Sequence, residues 1–170
     1  VQDKNEKSMP PTPTRCLILA CGNTLRGDDG VGPWLAQWAE VRFASDPAVR
    51  VLWRQQWTPE LAEEISAVAS VLFIDCSIDS APGQVKLTPI APAATPPGLA
   101  THHLGAAELL FLTRELFHSL PRQAQILTVG AASMELSEEF SPAVSSALPS
   151  ACHLLKEAVH ALIGDVSSIS

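Results

Sequence analysis

The residues able to do chemistry fall into three short stretches. The first is Gly22-Asn23-Thr24-Leu25-Arg26-Gly27-Asp28-Asp29-Gly30-Val31-Gly32, the second ends in Asp75, and the third is Thr101-His102-His103. Carboxylate oxygens and an imidazole nitrogen together suit a first-row divalent metal. One or two donors from each stretch would leave coordination positions open, as a catalytic or substrate-borne metal requires. Plainer readings compete with this one. Asp28 or Asp29 could cap a helix, Asp75 could cap a loop, and the histidine pair could open a helix in solvent. A thiol nucleophile is a further alternative, because Cys76 follows Asp75 directly and His102 could serve it as base. Two nucleotide-binding readings fail. Ala20 stands where a dinucleotide fingerprint needs its first glycine, and the Gly-Lys-Ser/Thr of a phosphate loop is absent.

Strand and helix patterns alternate along the chain, and they place these stretches. Cys16 to Cys21 is a short apolar run ended by Gly22-Asn23, as in a buried strand and its turn. A helix is expected from Val31 to about Ala44, with Val31, Trp34, Leu35, Trp38 and Val41 on one face. A loose strand covers Val49 to Trp57. Thr58-Pro59-Glu60 has the form of a helix start, and that helix should run to about Ala69. Ser70 to Asp75 is a continuous apolar strand ending in a carboxylate. Further strands are expected at Gln84 to Ile90 and Gln125 to Val129. Helices are expected from about His103 to Phe117 and from Pro142 to Ile163, the latter with Leu148, Cys152, Leu155, Val159 and Leu162 on one side.

This alternation implies an α/β fold of three layers, α/β/α, around a central mixed, mostly parallel sheet of about five strands, similar to phosphorylase/hydrolase-like folds. In such sheets ligands bind outside the carboxyl ends of the strands. Each of the three lies at or just after the end of a predicted strand, so they are expected at one sheet edge. The expected organisation is a tail at 1–14, a single domain at 15–164 and a second tail at 165–170.

Composition narrows the partners. The formal net charge is −7, and the one basic cluster is Arg42, Arg50 and Arg54. A nucleic-acid partner is not expected, because phosphate binding needs a clustered positive face. No apolar run approaches the length of a membrane span, so no membrane association is expected. The polar, Pro-rich residues 1–14 lack the apolar stretch of a signal peptide. The four cysteines, Cys16, Cys21, Cys76 and Cys152, form neither a C-x-x-C pair nor a disulfide framework. They read as free thiols in a reducing cytoplasm. Charged residues make up only 17% of the chain, which fits a surface covered by a partner for part of its working cycle.

The 22–32 stretch resembles the opening motif of the [NiFe]-hydrogenase maturation endopeptidases, G-x-G-N-x-L-x-x-D-[DE]-x-x-G. Phe73-Ile74-Asp75 resembles that family's strand-end aspartate, with Pro82-Gly83-Gln84-Val85 similar to the turn and strand that follow it. Thr101-His102-His103-Leu104-Gly105 is similar to its His-x-Leu-Gly segment, and Ser141-Pro142 to the start of its last helix. The likeness covers roughly residues 15 to 163. It implies a peptidase of aspartyl type that removes the C-terminal extension of a hydrogenase large-subunit precursor after nickel loading. It implies that Ni2+ is carried by the substrate and met by Asp29, Asp75 and His102 as metal-binding and catalytic residues. Asp28, Gly22, Asn23 and His103 would then position the substrate or shape the turn. Two departures stand out. Ala20 replaces the usual first glycine, and the first ligand is Asp where some members carry Glu. A nickel-binding chaperone that does not cut is the remaining alternative.

Overall fold

The computed structural model describes residues 14–96 and 104–164. Five strands, β1 (Cys16–Cys21), β2 (Val49–Arg54), β3 (Ser70–Ser77), β4 (Val85–Pro89) and β5 (Gln123–Gly130), form one sheet in the order β2-β1-β3-β5-β4. The first three pairings across it are parallel, and β4 lies antiparallel to β5 at the edge. The helices are α1 (Val31–Arg42), α2 (Leu61–Ser66), α3 (Ala106–Phe117) and α4 (Pro142–Gly164). The expected three-layer α/β/α architecture with a mixed, mostly parallel sheet is the one observed.

Side-chain alternation along the central strands feeds two cores. Cys16, Ile18, Ala20, Leu72 and Ile74 face one side, where they meet Val31, Leu35, Ala36 and Ala39 of α1 and Val144, Ala151, Leu155 and Val159 of α4. Leu17, Leu19, Val71 and Phe73 face the other, against Leu61 and Ile65 of α2 and Leu109 and Leu110 of α3. Strands apolar on both faces are what a parallel sheet covered by helices requires.

Several sequence expectations shift, among them β2, which ends at Arg54 and not at Trp57. The buried face of α1 keeps Val31 and Leu35 but continues through Gly32, Ala36 and Ala39, while Val41 is 81% exposed and Trp34 36%. Small residues let this helix lie close on the sheet; a Cβ on Gly32 would come within 2.0 Å of the Cys21 carbonyl oxygen. The helix expected from Thr58-Pro59 is shorter, Leu61–Ser66. The Leu61 and Ala62 N–H groups donate to the Thr58 and Pro59 carbonyls three residues back, so this segment is a tight turn preceding the helix. β3 runs two residues past Asp75, because Cys76 and Ser77 pair with Val129 and Gly130 of β5.

The expected start of α4 is confirmed in detail. Ser141 Oγ accepts the Val144 N–H at 3.3 Å, and Pro142 occupies the first helical position, where its missing N–H costs nothing.

Candidate active site

The order β2-β1-β3 fixes where a crevice opens. From β1 the chain crosses over α1 to β2 on one side, and from β2 it crosses over α2 to β3 on the other. The loops at the carboxyl ends of β1 and β3 therefore diverge, which is the position where open α/β sheets bind ligands. The last β1–β3 pair is Ala20 with Ile74. Beyond it β1 stays paired with β2 through Cys21 but no longer with β3, which leaves the flank of β3 open at Asp75.

The β1 loop is shaped by two residues. Gly22 has φ +145°, and a Cβ there would fall 2.0 Å from the Asp29 carbonyl oxygen, so only glycine allows the loop to fold back over the strand end. Asn23 Oδ1 accepts the Leu25 N–H at 2.9 Å, closing an Asx turn, and the Asn23 N–H donates to Asp29 Oδ2 at 3.0 Å. Together they aim Asp29 toward β3. Ala20, the departure from the motif, is a fully buried strand residue and fits without strain.

Asp28 points the other way and is fully buried. Its Oδ2 accepts the N–H groups of Ala132 at 2.7 Å and Ser133 at 3.0 Å, and its Oδ1 accepts that of Ser141 at 2.7 Å. Burial alone would raise this carboxyl, but the three N–H groups outweigh it and hold it below its ordinary value of 3.8. Asp28 thus ties the segment after β5 to the turn at Gly27–Gly30. Reciprocal bonds between Gly27 N–H and the Ser137 carbonyl and between Ser137 N–H and the Leu25 carbonyl extend the seam.

Asp29 and Asp75 line one cavity of about 500 Å³, with Cys21, Asn23, Arg26, Gln55, Gln56, Trp57, Leu104, Gly105, Glu108 and Met134. Burial pushes the Asp75 carboxyl up from 3.8 to about 6; the Cys76 N–H, 2.8 Å from Oδ1, pulls it back, and the charge of Asp29 adds to the rise. Two carboxylates that feel each other in one cleft form a natural seat for a cation. His102 and His103 lie outside the described residues, which resume at Leu104 on the cavity wall. Among the described residues no group of three or more histidine, cysteine or carboxylate side chains is arranged to hold an ion. The described donor set of two acids is compatible with a metal that brings most of its own ligands.

The thiol alternative fares poorly. Burial, followed by the charges of Asp29, Asp75 and Asp28, pushes the Cys76 thiol up to about 12, and Cys76 packs against the α1–α4 core. Such a thiol is not an activated nucleophile at neutral pH. Cys21 is likewise pushed up to about 12, mainly by burial.

Sequence reading did not single out Glu108, Gln55, Gln56 or Met134 as cavity residues. Glu108 lies in the first turn of α3 and carries no motif signal of its own; the topology alone brings it to the cleft.

No family model matches the sequence, and no curated protein matches it. Solved structures do. The fold is that of the hydrogenase-maturating endopeptidase HybD from E. coli, with a TM-score of 0.73 at 23% identity over 86% of this chain and 92% of that one. It is similar also to the [NiFe] hydrogenase maturation protease HycI from Thermococcus kodakarensis KOD1, with a TM-score of 0.63 at 22% identity over 88% and 93% of the two chains. A hydrogenase 2 maturation peptidase from a Thaumarchaeota archaeon gives 0.61 at 22% identity over 85% and 97%.

Proposed function

We propose that this chain is a [NiFe]-hydrogenase maturation endopeptidase, which removes the C-terminal extension of a large-subunit precursor once nickel is in place. The observation that carries this reading is the meeting of Asp29 and Asp75 in one cleft at the carboxyl edge of the sheet. Its support is twofold: both acids fall at matching positions of the sequence motifs, and the fold is shared with structures named as such proteases.

In this reading nickel is part of the substrate, held by the precursor's own cysteines. Asp29 and Asp75 offer acceptor oxygens to that cationic centre, and His102 supplies an imidazole nitrogen. A cation between the two carboxylates would offset the burial and the Asp29 charge that together raise Asp75. Recognition would thereby test for loading, because an empty precursor leaves the two acids uncompensated. A metal so held can polarise a carbonyl or activate water beside it. Asp28 holds the 132–141 segment against the turn and so fixes the far wall of the cleft at Met134. We place the reaction in the cytoplasm; no described helix is long and apolar enough to cross a membrane.

Mass spectrometry of a nickel-loaded precursor incubated with the protein tests this directly. Loss of the C-terminal extension with wild type, and its retention with Asp29→Ala, is the expected result. Tight binding without cutting would favour the chaperone alternative and sink the peptidase reading.

A further inference from the structure

We infer that Arg26 is a specificity-determining residue that reads a carboxylate on the precursor's C-terminal extension. This rests on the peptidase reading above.

Arg26 is exposed and lines the cleft together with Asp29, Asp75 and Glu108. The described ion pairs join Arg50 to Glu64 and Arg114 to Glu115, and among the described residues Arg26 pairs with no acid. A guanidinium beside several carboxylates would ordinarily collapse onto one of them. Here it does not, and the backbone that carries it is held in place. The Arg26 N–H donates to the Asn23 carbonyl at 3.1 Å, its carbonyl accepts the Asp29 N–H at 3.2 Å, and both chain neighbours are bonded to Ser137. The loop thus fixes where the side chain leaves the cleft wall, while Asp29 Oδ2 is engaged by the Asn23 N–H.

The adjoining backbone is partly apolar. Leu25 is 50% exposed and Leu136 is 88% exposed, and the Leu25 carbonyl is bonded to the residue after Leu136. Two exposed apolar residues thus sit on the backbone that adjoins Arg26.

Electrostatics also set the direction. A cationic centre is drawn to Asp29 and Asp75 and repelled by Arg26. A segment leading away from that centre along the cleft would pass Arg26, and a carboxylate on it would form a charge-assisted, bidentate contact with the guanidinium. Two sources supply that group: an Asp or Glu side chain of the extension, or its terminal carboxylate.

The test measures cleavage kinetics of wild type, Arg26→Gln and Arg26→Lys on three nickel-loaded precursors. One carries the native extension, one has the extension's Asp and Glu replaced by Asn and Gln, and one is amidated at its C-terminus. On the native precursor Arg26→Gln should raise KM about tenfold, the loss expected for one charge-assisted contact, with kcat within about twofold. Arg26→Lys should recover part of the loss. One of the altered precursors should raise the wild-type KM to the same level, and on it Arg26→Gln should add nothing; which precursor does so identifies the carboxylate. Independent, multiplying effects on both altered precursors overturn the inference, as does an unchanged KM or a fall in kcat alone. Wild type cutting while Arg26→Gln behaves identically defeats this inference only. Wild type failing to cut the native precursor defeats the peptidase reading and this inference with it.

Discussion

Replacing Asp75 by asparagine should stabilise the protein at neutral pH while stopping precursor processing. The Asp75 carboxyl ordinarily titrates at 3.8 and is raised to about 6 in the fold, by burial first and by the charge of Asp29 in addition. Below pH 3.8 it is protonated in both folded and unfolded chains and contributes no difference. Between 3.8 and about 6 the folded state holds its proton more tightly, so stability falls as pH rises; above about 6 the full penalty applies. At 1.36 kcal/mol per pH unit the gap amounts to about 3 kcal/mol, and screening at the open side of the cleft reduces this to about 1.5–2 kcal/mol. Asparagine removes the charge and keeps an Oδ1 to accept the Cys76 N–H, so the local geometry survives. Urea unfolding of wild type and Asp75→Asn at pH 7.5 and at pH 3.5 isolates the effect of the cleft, since groups remote from it titrate alike in the two proteins. The variant should be the more stable at pH 7.5, and the advantage should vanish at pH 3.5. A variant less stable than wild type at pH 7.5, or an advantage independent of pH, would refute the electrostatic account of the cleft.

The other outcomes concern the loop and the histidine pair. Asp28→Asn leaves an amide NH2 opposed to at least one of the three backbone donors, so the 132–141 segment should loosen by about 2 kcal/mol, and hydrogen exchange at Ala132, Ser133 and Ser141 should quicken at least tenfold. Gly22→Ala should lower stability by about 2 kcal/mol or more in thermal unfolding, because its Cβ meets the Asp29 carbonyl oxygen. In the processing assay Asp29→Ala and His102→Ala should both be severe and His103→Ala mild; equal effects at the two histidines would reassign the imidazole.

Much of the fold was legible because the strands are short apolar runs closed by turn residues, and because the alternation of elements leaves few topologies. The two cores follow from strands apolar on both faces. The buried face of α1 was less legible. Large residues such as Trp34 and Val41 dominate a periodicity count, yet Gly32, Ala36 and Ala39 face the sheet because their smallness permits close approach. The short α2 was hidden for a related reason: Thr58-Pro59-Glu60 carries the residues of a helix start, but the chain uses them for a turn stabilised by i to i+3 bonds. At the site, Asp29 and Asp75 could be read from their positions at or just after the ends of predicted strands. Glu108, Gln55 and Gln56 could not, since nothing local distinguishes a cavity wall from any other polar position.

Asp28 and Asp29 mark the limit of that reading. In the sequence they are adjacent and chemically identical, and either could cap a helix or face a ligand. The structure separates them by how fully their lone pairs are used. A carboxylate has about four acceptor sites. Asp28 uses three on backbone N–H groups and is fully buried, so it has almost nothing left to offer a ligand. Asp29 and Asp75 each accept one backbone N–H and face the cleft, so their remaining lone pairs are free to meet a cation. Hydrogen-bond saturation thus assigns the first acid to building the wall and leaves the second pair for chemistry, a distinction that depends on Ser141 and its neighbours arriving from more than a hundred residues away.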